Sequence, residues 1–214
     1  IGLLVFLLVE ARPDGLESAG RLPESFQGGV LFAMAAAGAY LLLEGIGSWL
    51  KSAGRAADEG YRSWVLAVLI AVGIGLHNFG EGLAIGSAFA LGEAALGTLL
   101  IVGFTLHNTT EGLAIVSPLA RARQQGSVAD LAKLGLIGGV PTIAGAWLGG
   151  FVYSPVWSVA FLAIGVGAIA QVVGQIVRQM ARGGSTAGTL ARRPVLAGLL
   201  AGFAVMYVTG MLVG

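Results

Sequence analysis

The chain has 214 residues, of which 56% are hydrophobic and 11% charged, and its mean hydropathy is +0.86. A soluble globule of this size needs far more charge to coat its surface, so composition excludes that class and places the chain in a bilayer. The net charge of +1 comes with no basic patch that would call for a nucleic-acid partner, and the absence of cysteine excludes disulfides and thiolate metal sites.

In chain order, the opening run IGLLVFLLV is about half of the roughly 20 residues that span a bilayer, so it is expected to be the tail of a truncated helix. It lacks the basic region and small-residue cleavage site of a signal peptide. A loop over 10–27 follows, holding Glu10, Asp14, Glu17 and Glu24 with Arg12 and Arg21. Six apolar segments come next: Gly28 to Leu50, Trp64 to Leu91, Ala94 to Ala120, Leu131 to Tyr153, Val156 to Val177 and Val195 to Val213, each long enough to span as a helix. The pattern is that of an all-α, polytopic transmembrane helix bundle forming a single domain over 1–214.

Three connections carry most of the basic residues. Lys51, Arg55 and Arg62 lie in 51–63, Arg121 and Arg123 in 121–130 with Lys133 close by, and Arg178, Arg182, Arg192 and Arg193 in 178–194. If the helices alternate, all three fall on one side, and the positive-inside rule makes that side cytoplasmic, with loop 10–27 and the C-terminus outside. The connections near Gly92 and Ser154 are very short, so they join antiparallel neighbours, whereas GGSTAGT at Gly183 to Thr189 reads as a solvated linker. Trp49, Trp64 and Tyr153 near segment ends read as interface anchors.

The chemistry sits in a repeat. LHNFGEGLAI at Leu76 to Ile85 returns as LHNTTEGLAI at Leu106 to Ile115, and over fifteen residues ten positions are identical at an offset of thirty. His77 and Glu81 are four apart, as are His107 and Glu111, so each pair shares a helical face with Asn78 or Asn108 beside it. The midpoint between the copies falls near Ala94, the turn joining the two segments. Folding there sets both motifs at one depth, about 20 Å from the turn at 1.5 Å per residue, inside the hydrocarbon.

These two histidines are the only ones in the chain. His77, Glu81, His107 and Glu111 form an imidazole and carboxylate set suited to zinc or another first-row divalent ion, with Asn78 and Asn108 as weaker oxygen ligands. No Lys or Arg lies within either segment to neutralise the glutamates, and a buried carboxylate needs a partner. A bound cation supplies one. The alternative is a structural polar knot of protonated glutamates with the histidines and asparagines. Glycines at 80, 82 and 112 fit either, since they allow close packing and can free a helix carbonyl.

These residues resemble the ZIP family of zinc and iron permeases, in its bacterial or archaeal type, whose fourth and fifth helices carry His-Asn-x-Pro-Glu-Gly and a related second copy. The resemblance implies an eight-helix protein of the inner (plasma) membrane, about seven helices of it represented here, with outside termini. It implies a transporter rather than an enzyme, with no cofactor, carrying Zn2+ or alternatively Fe2+, Mn2+, Co2+ or Cd2+ inward. One metal position would be held by His77, Glu81, His107 and Glu111, a neighbouring one by Asn78, Glu81, Asn108 and Glu111. Gly80 and Thr110 stand where the family has proline. The sixth-helix Glu before a proline is Val140 before Pro141, and Gln171 and Gln175 replace acidic or histidine residues of the seventh, so a single bound ion is expected. Glu44 in AYLLLEGIG, with Gln175, is a candidate for the pathway.

Two other functions fit the same residues: an intramembrane metal-dependent hydrolase, for which no further Ser, Cys or His stands near the motifs, and a non-transporting metal sensor. The small-residue faces could serve packing within the chain or a homodimer.

Overall fold

The structure is a computed structural model that describes residues 1–53, 59–122, 126–151, 154–181 and 185–211; within them the side chains of 10–14, 51, 53, 107, 186, 189, 209 and 210 are outside the described set. It is all-helical, with α1 (Gly2–Gly20), a 3-10 turn (Glu24–Phe26), α2 (Gly28–Ala53), α3 (Glu59–Ala90), α4 (Ala94–Arg121), α5 (Val128–Phe151), α6 (Pro155–Met180), the short α7 (Thr186–Leu190) and α8 (Arg193–Gly210). Among the described residues, five helices are long and apolar enough to cross a membrane, those from α2 to α6. The apolar stretch of α8 is shorter, Arg193–Val208.

Two connections differ from expectation. α1 continues past the apolar run to Gly20, so the expected loop over 10–27 is confined to the residues after it. Part of GGSTAGT is helical, in α7. Both runs hold Pro or Gly, poor helix formers, and neither carries the apolar periodicity by which a helix is recognised in a sequence.

Backbone contacts fix the relative directions. Gly28 of α2 lies against Ala19 of α1, and Gly15 against Phe32, so this pair is antiparallel. α3 and α4 turn back on one another through Gly92, whose φ of 81° is the left-handed conformation that glycine adopts at least cost. There the Glu93 N–H donates to the Ala88 carbonyl at 2.9 Å and the Gly92 N–H to the Phe89 carbonyl at 3.0 Å, the paired bonds of a Schellman cap. α6 opens on Pro155 after an extended Ser154, as the residue before proline prefers.

α3 and α5 run parallel along a glycine seam. A Cβ at Gly75, Gly82 or Gly86 would overlap the carbonyl oxygens of Ile137, Thr142 and Ala146, and one at Gly145 or Gly149 those of Phe79 and Leu83. The backbones touch directly, the packing that small residues permit where lipid offers no hydrophobic drive between helices. α2 and α6 are also parallel, Gly167 resting on the Ala36 backbone. α6 crosses α3 antiparallel, with Gly165 against His77 and Gly73 against Val172.

The alternation gathers the ends that flank 54–58, 123–125 and 182–184 at one end of the bundle, so the described basic residues Arg62, Arg121, Lys133, Arg178, Arg192 and Arg193 share that end. Arg55, Arg123, Arg182 and Tyr153 lie outside the described residues. The main apolar core, with Leu4, Leu7, Ile70, Ile74, Leu134, Ile169 and Met206 almost fully buried, binds α1, α3, α5, α6 and α8 together.

Candidate metal centre

α3 carries the first motif through the middle of the bundle without a break: the helix is continuous from Glu59 to Ala90 across Gly80. α4 is likewise continuous across Thr110, whose hydroxyl donates to Met206 Sδ on α8 at 3.2 Å. The freed carbonyl that the motif glycines could have supplied is absent from both described helices at this level. Proline releases carbonyls elsewhere. Pro118 leaves the Ala114 carbonyl without its helical N–H, and Ser117 Oγ donates to that oxygen at 2.9 Å. Pro141 does the same to the Ile137 carbonyl, which lies over Gly75.

The hairpin brings His77, Glu81 and Glu111 together, one ligand atom from each within 4.8 Å of the others. His77 Nε2 lies 3.7 Å from Glu81 Oε1. Glu81 and Glu111 are buried, 6% and 1% exposed, and His77 is partly buried. The His107 side chain falls outside the described residues, although its backbone sits in α4 one turn before Glu111.

Asn78 is 2% exposed, and its Nδ2 donates to the Gly138 carbonyl on α5 at 3.0 Å. That bond turns its Oδ1 into a buried oxygen without a hydrogen-bond partner among the described residues, a state shared by Asn108 Oδ1. α6 closes the remaining side of the first motif: Phe79 packs on Phe161 with ring centroids 4.6 Å apart, and a Cβ at Gly165 would come 3.1 Å from His77 Cα.

An imidazole and two carboxylates within reach of one point, flanked by amide oxygens, can hold a divalent cation of the zinc class. The same set holds no hydroxyl or thiol nucleophile.

Glu44 and Gln175 do not join this cluster. They meet in a second polar group between α2 and α6, where Gln171 Nε2 donates to Gln175 Oε1 at 3.0 Å and to Glu44 Oε2 at 3.2 Å. Arg178 donates to the same Glu44 oxygen, at 2.5 Å, and to Tyr40 Oη, at 3.3 Å. The Glu44 charge is therefore paired with Arg178, and its side chain is 41% exposed. Sequence reasoning named Gln171 but not the Arg178 and Tyr40 contacts, because no short spacing links α2 to α6.

Val140, the residue before Pro141, is 48% exposed. α5 instead sets the Thr142 backbone against Gly82 of the motif. Periodicity marks the position: Gly138, Thr142, Gly145 and Gly149 repeat at helical spacing and form the stripe that faces α3.

No family model, curated protein or solved structure matches this chain.

Proposed function

We propose that this chain carries divalent metal ions, zinc foremost, across the membrane into the cytoplasm through the site built by His77, Asn78, Glu81, Asn108 and Glu111, with His107 as a further ligand. The observation that supports it most directly is the convergence of His77, Glu81 and Glu111 within 4.8 Å, from two helices long enough to cross a bilayer. The resemblance to the zinc and iron permeases rests on these same residues. A carboxylate pair buried at this depth is neutralised most simply by a cation, and a site made of neutral amides and two acids holds one ion weakly enough to release it.

A cavity at the basic end supports release in that direction. A cavity of about 390 Å³ lies there, lined in part by Leu66, Ile70, Ser117, Arg121 and Gln179. Ile70 in its wall is buried, as are Ile74, one turn along α3 toward the motif, and Ile115. An ion leaves when that apolar layer parts, as helices rock around a fixed midplane site.

The test is zinc uptake by proteoliposomes holding the full chain. Saturable uptake above empty vesicles, with one zinc bound per chain in titration, is the expected result. Tight zinc binding with no uptake would leave a sensor and reject a transporter. Orientation has its own check, because the chain has no cysteine of its own. In cells, Glu93→Cys at the α3–α4 turn is expected to react with a membrane-impermeant maleimide from outside. Val128→Cys at the start of α5, 84% exposed, is expected to react only after permeabilisation. The reverse pattern overturns the inward direction.

A further inference from the structure

Several helical hydroxyls in this chain bond back to their own helix. Thr98, Thr105 and Thr109 donate to the carbonyl four residues earlier at 2.7–2.8 Å, as does Ser158 at 3.1 Å. Thr142 does not: its Oγ1 is buried and has no hydrogen-bond partner among the described residues. The reason lies across the seam. Its natural acceptor is the Gly138 carbonyl, which has two lone pairs; one serves the helix's own N–H, and the other takes the amide of Asn78.

Asn78 thus occupies the acceptor that Thr142 would otherwise use. Thr142 sits one turn beyond Gly138, with its backbone against Gly82, and therefore stands at the level of Glu81. Two unmet oxygens, Asn78 Oδ1 and Thr142 Oγ1, belong to the α3–α5 contact, and Asn108 Oδ1 is a third on α4. Leaving a buried hydroxyl unmet costs about 1–3 kcal/mol, a cost that a ligand at this level would offset.

We infer that Thr142 is a specificity-determining residue of the metal site, its hydroxyl adding a neutral oxygen from α5 to the shell of the bound ion. The inference rests on the metal-transport reading of the cluster. Neutral oxygen donors suit manganese better than zinc, which draws its affinity from imidazole. Thr142 therefore widens the range of ions held, toward those that prefer oxygen.

The experiment is titration of Zn2+ and Mn2+ into the purified full chain in detergent, for wild type, Thr142→Val and Thr142→Ser. Valine keeps the shape and removes the oxygen; serine keeps the oxygen. Thr142→Val is expected to weaken Mn2+ about tenfold and Zn2+ by less than threefold, and Thr142→Ser to match wild type. A tenfold change corresponds to about 1.4 kcal/mol, the order of one neutral contact to a charged group. An unchanged Mn2+ to Zn2+ ratio in the valine variant, with wild type binding both, overturns the role of Thr142 alone. Equal losses for both ions in both variants also overturn it, since they mark a packing role. Failure of wild type to bind either ion overturns this inference together with the site reading beneath it.

Discussion

Glu111→Gln is expected to cut zinc uptake by about 100-fold and, at the same time, to raise the melting temperature of the metal-free protein. The two effects have one origin. Glu81 and Glu111 place ligand oxygens within 4.8 Å of each other, both in buried surroundings. Two negative charges at that separation repel by roughly 3 kcal/mol at an effective dielectric constant of 20. A divalent ion turns the repulsion into attraction, and glutamine removes it while keeping the side chain's shape. Thermal unfolding in detergent with and without zinc reads both states. Zinc at a hundred times its dissociation constant stabilises wild type by about 2.7 kcal/mol, and that increment is expected to vanish in the variant. A structural polar knot predicts the opposite pattern, with no zinc response in wild type and a loss of stability on substitution. That pattern would sink the metal site.

The second large effect separates the two copies of the repeat. Gly82 and Gly112 occupy the same place in LHNFGEGLAI and LHNTTEGLAI, and by sequence they are interchangeable. Gly82→Ala is expected to destabilise the protein by several kcal/mol, above the usual 1–3 kcal/mol of an overpacked site, because the new Cβ meets backbone that cannot swing away. It would overlap the Thr142 carbonyl oxygen and come 2.8 Å from the Ala146 nitrogen. Gly112→Ala meets nothing within 4 Å. It is expected to be neutral or to stabilise by up to about 1 kcal/mol through helix propensity. Melting temperatures of the two variants decide the matter, and equal shifts would contradict the unequal burial.

Most of the bundle is legible in the sequence because lipid simplifies the code. Apolar runs of spanning length gave α2 to α6 with ends within a few residues, and the charge of the connections matched the alternation of directions. The hairpin of α3 and α4 follows from its short turn, and with it the meeting of His77, Glu81 and Glu111. What the sequence does not carry is the identity of neighbours that are distant along the chain. Periodicity states that Gly82 lies on some face, but not that α5 covers it in parallel. The Val-Pro pair singles out Val140, which is exposed, while Thr142 two residues on has its backbone against Gly82 of the motif. Likewise Glu44 reads alone as an acid near a helix end, whereas Arg178, 134 residues away, neutralises it.

The seam between α3 and α5 is made of backbone on both sides, with Gly75, Gly82, Gly86, Gly145 and Gly149 supplying no rotamers. Contacts between side chains can slip by exchanging conformers; this one has no such intermediate settings, so the two helices are either fully engaged or apart. On the transport reading, α3 and α5 are expected to move as a single strut that keeps the spacing between Asn78 and Gly138. On that reading, discrimination among ions is then fixed at folding. It is the same whichever side the site faces.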